Sequence, residues 1–440
     1  MLDLPAILAR VPDFQEFLTL DELRASSRAL VEEFPGTARL ETVGASSEGR
    51  PIELLTIGDG VRPALLVGVP HPNEPIGTLT LEFLCRLLCE DADLRRRLDA
   101  TFHVVKVADP DGFVLNEGWF KGRFSPLRYA LDYYRPPHRE QVEWSFPVHY
   151  KTLRFATPSA ETQAVMRVME RVRPEFFYSL HNAGFCGVYF YVSAQRPALF
   201  EAFHALVAGQ GLPLHRGEPE VPYLRTLAPA IYALFGIDET YDYLARTLGE
   251  DPAPLIEAGT SSDDWLRGVT DAFSLVCELP YYTAPALDDT SPAGCRRRDA
   301  IATGLARAEI LHAECARAFE ALGAGVPEHR LTRSVLDYLR KTPKRIAAER
   351  ANAEGADYAR EATRAEVLDA TTCRAFYHML YLGEVRRLAV MVGASTLAAD
   401  LAARLAAIAD EIERASELRV LPLRPLVAVQ AGAALLALTV

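Results

Sequence analysis

A histidine and a carboxylate three residues apart, His71 and Glu74 in the run Pro70-His71-Pro72-Asn73-Glu74-Pro75, stand where the apolar stretch 64–69 gives way to a helix-like segment, 77–88. An imidazole and a carboxylate so spaced on a turn can converge on one zinc ion, leaving positions for a third ligand and a water. The spacing alone is common, and a loop histidine is ordinarily a solvated polar residue, so the rest of the chain must supply the missing groups. His181 follows the buried run 176–180, and Glu278 lies near the end of another, 273–279. A hydrolytic zinc site needs three protein ligands, an open position, and a carboxylate that carries a proton from water to the leaving group. His71, Glu74 and His181 suit the first role and Glu278 the second. Each of the last two also has a plainer reading, His181 as a core histidine and Glu278 as a carboxylate held by a surface arginine.

The elements that must position these groups follow in α/β order. Residues 18–34 carry apolar positions at helical spacing, with Thr19 and Asp21 as cap candidates and Pro35-Gly36 as the stop. Strand patterns follow at 40–43, 52–57 and 64–69, then at 101–107, 176–180, 188–192 and 273–279, with helical patterns at 161–172 and 197–209. His71, His181 and Glu278 therefore fall at or beside strand ends, where open α/β sheets bind ligands. Between 116 and 158 the chain is irregular, aromatic and rich in arginine, and a loop of that length in a compact domain is usually functional. Beyond Pro292 strand signals vanish, and long helical patterns run over 296–322, 332–352 and 373–416. The expected architecture is α/β, a mixed central sheet flanked by helices over residues 1–290, followed by an all-helical region over 291–440.

Composition bounds the function classes. With 47 Lys and Arg against 59 Asp and Glu the net charge is −12, which argues against a nucleic-acid partner. The seven cysteines are scattered and mostly lie in apolar runs, as in the reduced core of a cytoplasmic protein. Cys85 and Cys89 stand four apart on a helical pattern, but no second pair completes a metal site. The first twelve residues lack a secretory pattern, and the apolar run 425–440, interrupted by Gln430 and Gly432, is too short for a membrane span and is expected to dock as a strand or helix.

Together these marks resemble the zinc metallocarboxypeptidases, the family of the pancreatic carboxypeptidases A and B, over about residues 17–282. The resemblance rests on Val43-Gly44-Ala45-Ser46-Ser47-Glu48-Gly49-Arg50-Pro51, His71-Pro72-Asn73-Glu74, Asp109-Pro110-Asp111-Gly112 in place of Asn-Pro-Asp-Gly, Ser179-Leu180-His181, and the run Gly259 to Trp265, whose Asp264 precedes Glu278 by fourteen residues. It implies zinc on His71, Glu74 and His181, Glu278 as the base, and an arginine that polarises the scissile carbonyl. Arg123 is the first candidate for that arginine, with Arg128 and Arg135 close behind.

Departures bear on substrate. Trp144 stands where the family carries the arginine that clamps a free C-terminal carboxylate, and an indole cannot replace a bidentate cation. Arg135 or Arg139 then supplies the clamp, or the substrate does not end in a carboxylate there. Ile256 replaces the mobile tyrosine of the digestive members. Asp263 matches the position that floors the specificity pocket and favours a basic group, and it equally suits a helix N-cap. The expected activity is zinc-dependent hydrolysis of an amide in a small or modified peptide or amino-acid conjugate, in the cytoplasm, without a nucleic-acid or membrane partner. The helical region is expected either to cover the active-site funnel or to form a homo-oligomer contact. Rival readings are an N-acyl amino acid deacylase and a non-catalytic zinc-containing binding module.

Overall fold

The computed structural model describes residues 2–439; Met1 and Val440 lie outside the described residues. Nine strands form the main sheet: β1 Ala38–Ala45, β2 Pro51–Ile57, β3 Arg62–Gly68, β4 Ala100–Val105, β5 Phe176–Leu180, β6 Tyr189–Val192, β7 Thr226–Ala228, β8 Ile231–Ala233 and β9 Phe273–Glu278. Their spatial order is β1-β2-β4-β3-β5-β9-β6-β8-β7. The inner run β4-β3-β5-β9 is parallel, and β2–β4 and β9–β6 are antiparallel, so the sheet is mixed as expected. Inner parallel strands are covered on both faces and read as unbroken apolar runs, which is why Leu65-Leu66-Val67 shows no alternation.

The alternation reappears in the packing. Ala64 and Leu66 of β3 face one apolar cluster, with helices α1 Leu20–Glu33, α2 Ile76–Glu90 and α4 Pro197–Gly209. Leu65 and Val67 face another, with α3 Ala160–Val172. Helix α1 starts at a capping box in which Thr19 and Glu22 each satisfy the other's backbone N–H.

The region after Pro292 is helical apart from a two-stranded ribbon pairing Pro292–Arg296 with Glu361–Thr363 and a short strand, Arg419–Val420, that pairs antiparallel with Pro280–Thr283. Its helices are α5 Arg297–Glu320, α6 Arg330–Asn352, α7 Arg374–Met391, α8 Ser395–Ser416 and α9 Leu423–Thr439. The single helix expected over 373–416 is divided, because Gly393 takes a φ of 75° just past the end of α7 and lets the chain reverse. Pro343 sits inside α6, where it cannot donate to the Leu339 carbonyl. That oxygen instead accepts from His312 Nε2 at 3.0 Å, so the helix continues.

Helix α9 is the docked apolar segment, packed against α2 and α4 and buried along most of its length. Its one buried polar side chain, Gln430, is fully used: Nε2 donates to the His181 carbonyl at 2.7 Å and the Cys277 carbonyl at 3.2 Å, and Oε1 accepts from Thr80 at 2.9 Å. No helix among the described residues is long and apolar enough to cross a membrane, and all seven cysteines are unpaired.

Candidate metal centre and cavity

The chain leaves β3 at Gly68 and turns through Val69, a β-branched residue held at a φ of 55° with its side chain fully buried. A left-handed valine is strained, and such strain persists only where the surroundings impose it. The following turn, closed by Glu74 N–H donating to the His71 carbonyl at 3.1 Å, presents both side chains beside the end of β5. There His71 Nδ1 lies 3.1 Å from Glu74 Oε1, and His181 Nδ1 lies 3.0 Å from Glu74 Oε2. One ligand atom from each of the three falls within 4.8 Å of the others, so this set could hold a metal ion.

A second row of contacts orients these donors. His181 Nε2 is 2.8 Å from Ser179 Oγ and 3.6 Å from Glu143 Oε2, while Glu143 is tied down by the backbone N–H and hydroxyl of Ser262 at 3.0 and 2.7 Å. A carboxylate beyond a ligating histidine fixes its tautomer and raises its basicity. Burial works against charge on His181, yet Glu143 and Glu74, one at each ring nitrogen, raise its pKa well above the usual histidine range. Burial and then Arg135 push His71 down to about 4. Burial opposes charge on Glu74 too, but His71, His181 and Arg135 hold it well below the carboxylate range.

Glu278 ends β9 with Oε1 3.9 Å from His181 Nδ1, and its buried Oε2 has no hydrogen-bond partner. Burial, followed by the charge of Glu74, raises its carboxyl well above the ordinary value. A buried oxygen without a partner is rare and calls for a reason.

Of the candidate arginines, Arg135 reaches this cluster, its Nη1 donating to Glu74 Oε1 at 2.8 Å. Arg123 and Arg128 are corrections. The segment that carries them folds its aromatics inward: Trp119 packs on Phe17, Phe120, Tyr129 and Tyr281, and the arginines are left on the outer side. Arg123 is exposed beside Gln15, Glu16 and Lys121, and Arg128 Nη2 donates to the Gly118 carbonyl at 3.2 Å; neither lines the cavity over the cluster. Arg139 is also exposed and outside it. Trp144 does line it, its ring 5.2 Å from His138 and 5.9 Å from Phe235. Asp263 borders the cavity but is committed to Arg267 at 3.1 Å and to the Ser261 hydroxyl at 2.9 Å. The cap of the helix Ser262–Leu266 is Ser261, so Asp263 is not the N-cap. Burial pushes its carboxyl up to about 6.

The cavity holds about 800 Å3, and α6 and α7 close one side of it. They bring in groups that the sequence did not single out, among them Lys341 and Arg345 on α6 and Tyr377, His378 and Tyr381 on α7. Burial, then Arg345, Lys341 and Arg135, hold His138 well below the usual histidine range, so these cations lie close to the Trp144 wall. Glu143 was legible only as the neighbour of Trp144, and Ser179 only as part of the run Ser179-Leu180-His181.

Glu384 of α7 reaches down to this wall, its Oε1 accepting from the Arg135 backbone N–H at 3.2 Å. It is completely buried, and that burial pushes its carboxyl up to about 8. The folded protein thus keeps a proton on Glu384 that the unfolded chain releases near pH 4.5. This contribution to stability is full below about pH 4.5 and is lost as pH rises to 8. Urea unfolding at pH 5 and pH 8 is expected to show a smaller loss of stability for Glu384→Gln than for wild type, the difference amounting to a few kcal/mol.

A mixed sheet whose strand ends gather a His/Glu/His set and a buried glutamate defines a metallohydrolase of the carboxypeptidase type. The family model described as zinc carboxypeptidase matches residues 23–284, and the chain belongs to that family, whose cofactor is zinc. Among solved structures it is similar to a metallo-carboxypeptidase from Burkholderia cenocepacia, with 19% identity over 60% of each chain and a TM-score of 0.35. It is also similar to carboxypeptidase A from Helicoverpa armigera, with 17% identity over 64% of this chain and 70% of that one, TM-score 0.39. A third is bovine thrombin-activatable fibrinolysis inhibitor, solved with tick carboxypeptidase inhibitor, with 13% identity over 60% and 86%, TM-score 0.36. No curated protein sequence matches the chain.

Proposed function

We propose that the protein hydrolyses an amide bond in a small or modified peptide or an amino-acid conjugate, using zinc held by His71, Glu74 and His181. The observation that carries this reading is the unpartnered, buried Glu278 Oε2 beside that ligand set. When bound, zinc supplies a Lewis acid that acidifies water and polarises a carbonyl. Glu278 accepts the water's proton on its free oxygen and delivers it to the departing nitrogen. Arg135, already aimed at Glu74, donates to the carbonyl oxygen as negative charge develops there.

Trp144 gives a carboxylate no donor suited to it, and besides Arg135 the positive charge near that wall comes from Arg345 and from Lys341, the latter paired with Asp337 at 2.9 Å, on α6. A substrate with a free terminal carboxylate would meet its counter-charge on the helical region. A cavity of about 800 Å3 favours short substrates, and seven unpaired cysteines suit a reducing compartment such as the cytoplasm.

The test pairs elemental analysis of wild type and His181→Ala with a release assay on blocked and unblocked dipeptides. The expected result is stoichiometric zinc in wild type, loss of most of it in the variant, and release that depends on the metal. A purified wild-type protein with no zinc affinity would overturn the reading. Release from C-terminally blocked dipeptides alone would retain the hydrolase and remove the carboxylate role of Lys341 and Arg345.

A further inference from the structure

We infer that the wall of the cavity beyond Glu278 is a cation-binding subsite, in which Tyr189, Tyr191, Tyr232 and Phe235 form an aromatic box under the carboxylate of Glu220 and take a substrate's alkylammonium or guanidinium group. This deepens the proposed hydrolase reading and rests on it only for the word substrate.

The sheet register builds the box. In the antiparallel β9–β6 pair Glu278 stands opposite Tyr189 and Val276 opposite Tyr191, and in the parallel β6–β8 pair Tyr191 stands beside Tyr232. Residues directly opposite one another share a face of the sheet, so these tyrosines project on the same side as Glu278. Their rings form a continuous surface: Tyr189–Tyr191 at 5.7 Å, Tyr191–Tyr232 at 5.8 Å, Tyr189–Tyr232 at 6.1 Å and Tyr191–Phe235 at 6.0 Å between centroids. All four rings and Glu220 line the cavity.

Glu220 supplies the charge. Its Oε2 accepts from the Tyr191 hydroxyl at 2.6 Å and, more loosely, from the Tyr189 hydroxyl at 3.5 Å. Burial, followed by the charge of Glu220 at Tyr191 and by those of Glu278 and then Glu220 at Tyr189, raises the two phenols well above their usual value, so they remain protonated donors and hold the carboxylate over the rings. Glu220 itself is at the exposed rim, between Pro219 and Pro222, which stiffen its segment. Of the other acids near this wall, Asp263 is engaged with Arg267 and Glu218 with Arg297, Asp369 accepts from the Glu218 backbone N–H at 3.0 Å, and Glu278 stands opposite Tyr189. Among the described residues Glu220 has no cationic partner within 4.0 Å. A carboxylate above π faces attracts a cation by both its charge and the ring quadrupoles, and gives neither anions nor neutral groups that advantage.

The probe pair is n-butylguanidinium and its neutral isostere n-butylurea, neither of them a peptide, titrated calorimetrically into zinc-loaded wild type, Glu220→Gln and Tyr191→Phe. Wild type is expected to bind the cation at least about tenfold more tightly than the urea. Glu220→Gln should lose about tenfold for the cation and nothing for the urea, with zinc content unchanged. Tyr191→Phe, which keeps the ring and frees Glu220, should weaken the cation by a smaller factor. Equal affinities for the two probes, no saturable binding of the cation, or an unaltered Glu220→Gln would each overturn the subsite. Because neither probe is hydrolysed as a peptide, a failed release assay with intact cation selectivity removes the hydrolase reading and keeps the subsite, and the reverse result removes only the subsite.

Discussion

Glu278→Gln is expected to lower kcat by about three orders of magnitude while leaving zinc stoichiometry unchanged. The amide keeps the shape of the carboxylate and its place at the end of β9, and Glu278 is not one of the three clustered ligand residues. It cannot accept a proton, so the water loses its base and the departing nitrogen its acid. Single-turnover kinetics beside elemental analysis separate this from a folding defect. A variant that retained wild-type turnover would exclude Glu278 from proton transfer and return the orphaned oxygen to the status of a structural curiosity.

The second large effect should come from a residue far from any proton. Helix α7 crosses the short helix Pro126–Asp132 at Gly383, so closely that a Cβ built there would overlap the Ala130 carbonyl oxygen. Both elements are backbone at that point, and neither can yield as a flexible side chain would. Gly383→Ala is expected to cost about 2–3 kcal/mol in stability. It should also slow the reaction by about a hundredfold, because Ala130 lies five residues before Arg135 and a displacement of about 1 Å at a reacting group has consequences of that size. Thermal unfolding and steady-state kinetics on the same preparation measure both. Wild-type values in each would mean that the two helices can separate at no cost to the site.

These two residues also mark what could be read from the chain and what could not. Glu278 was legible because a charged side chain at the end of an apolar strand is conspicuous, and the same holds for His181 and for the local pair His71 and Glu74. The α/β order followed from apolar runs separated by helical patterns, and the mixed sheet from the family resemblance. Gly383 was not legible, since close approach of two helices is a relation between segments about 250 residues apart that leaves no local period. The helical region was expected to cover the funnel or to form an oligomer contact; which of its helices and side chains make the wall escaped for the same reason. Among the arginines, position in the run could not distinguish Arg123 from Arg135; inward packing of Trp119 and Phe120 decides which of them faces water. Strands β7 and β8, three residues each, were too short to carry any alternation.

Gln430 sets the order in which the centre can be completed. The carbonyls of His181 and Cys277 receive its amide only once a residue 249 positions beyond His181 has been made. Both strand ends exist once Cys277, 153 positions before Gln430, has been made, and at ribosomal rates they wait on the order of 8–30 s for the amide that ties them together. A nascent chain can therefore lay down the main sheet and the three clustered side chains, His71, Glu74 and His181, before Gln430 exists to tie those strand ends together.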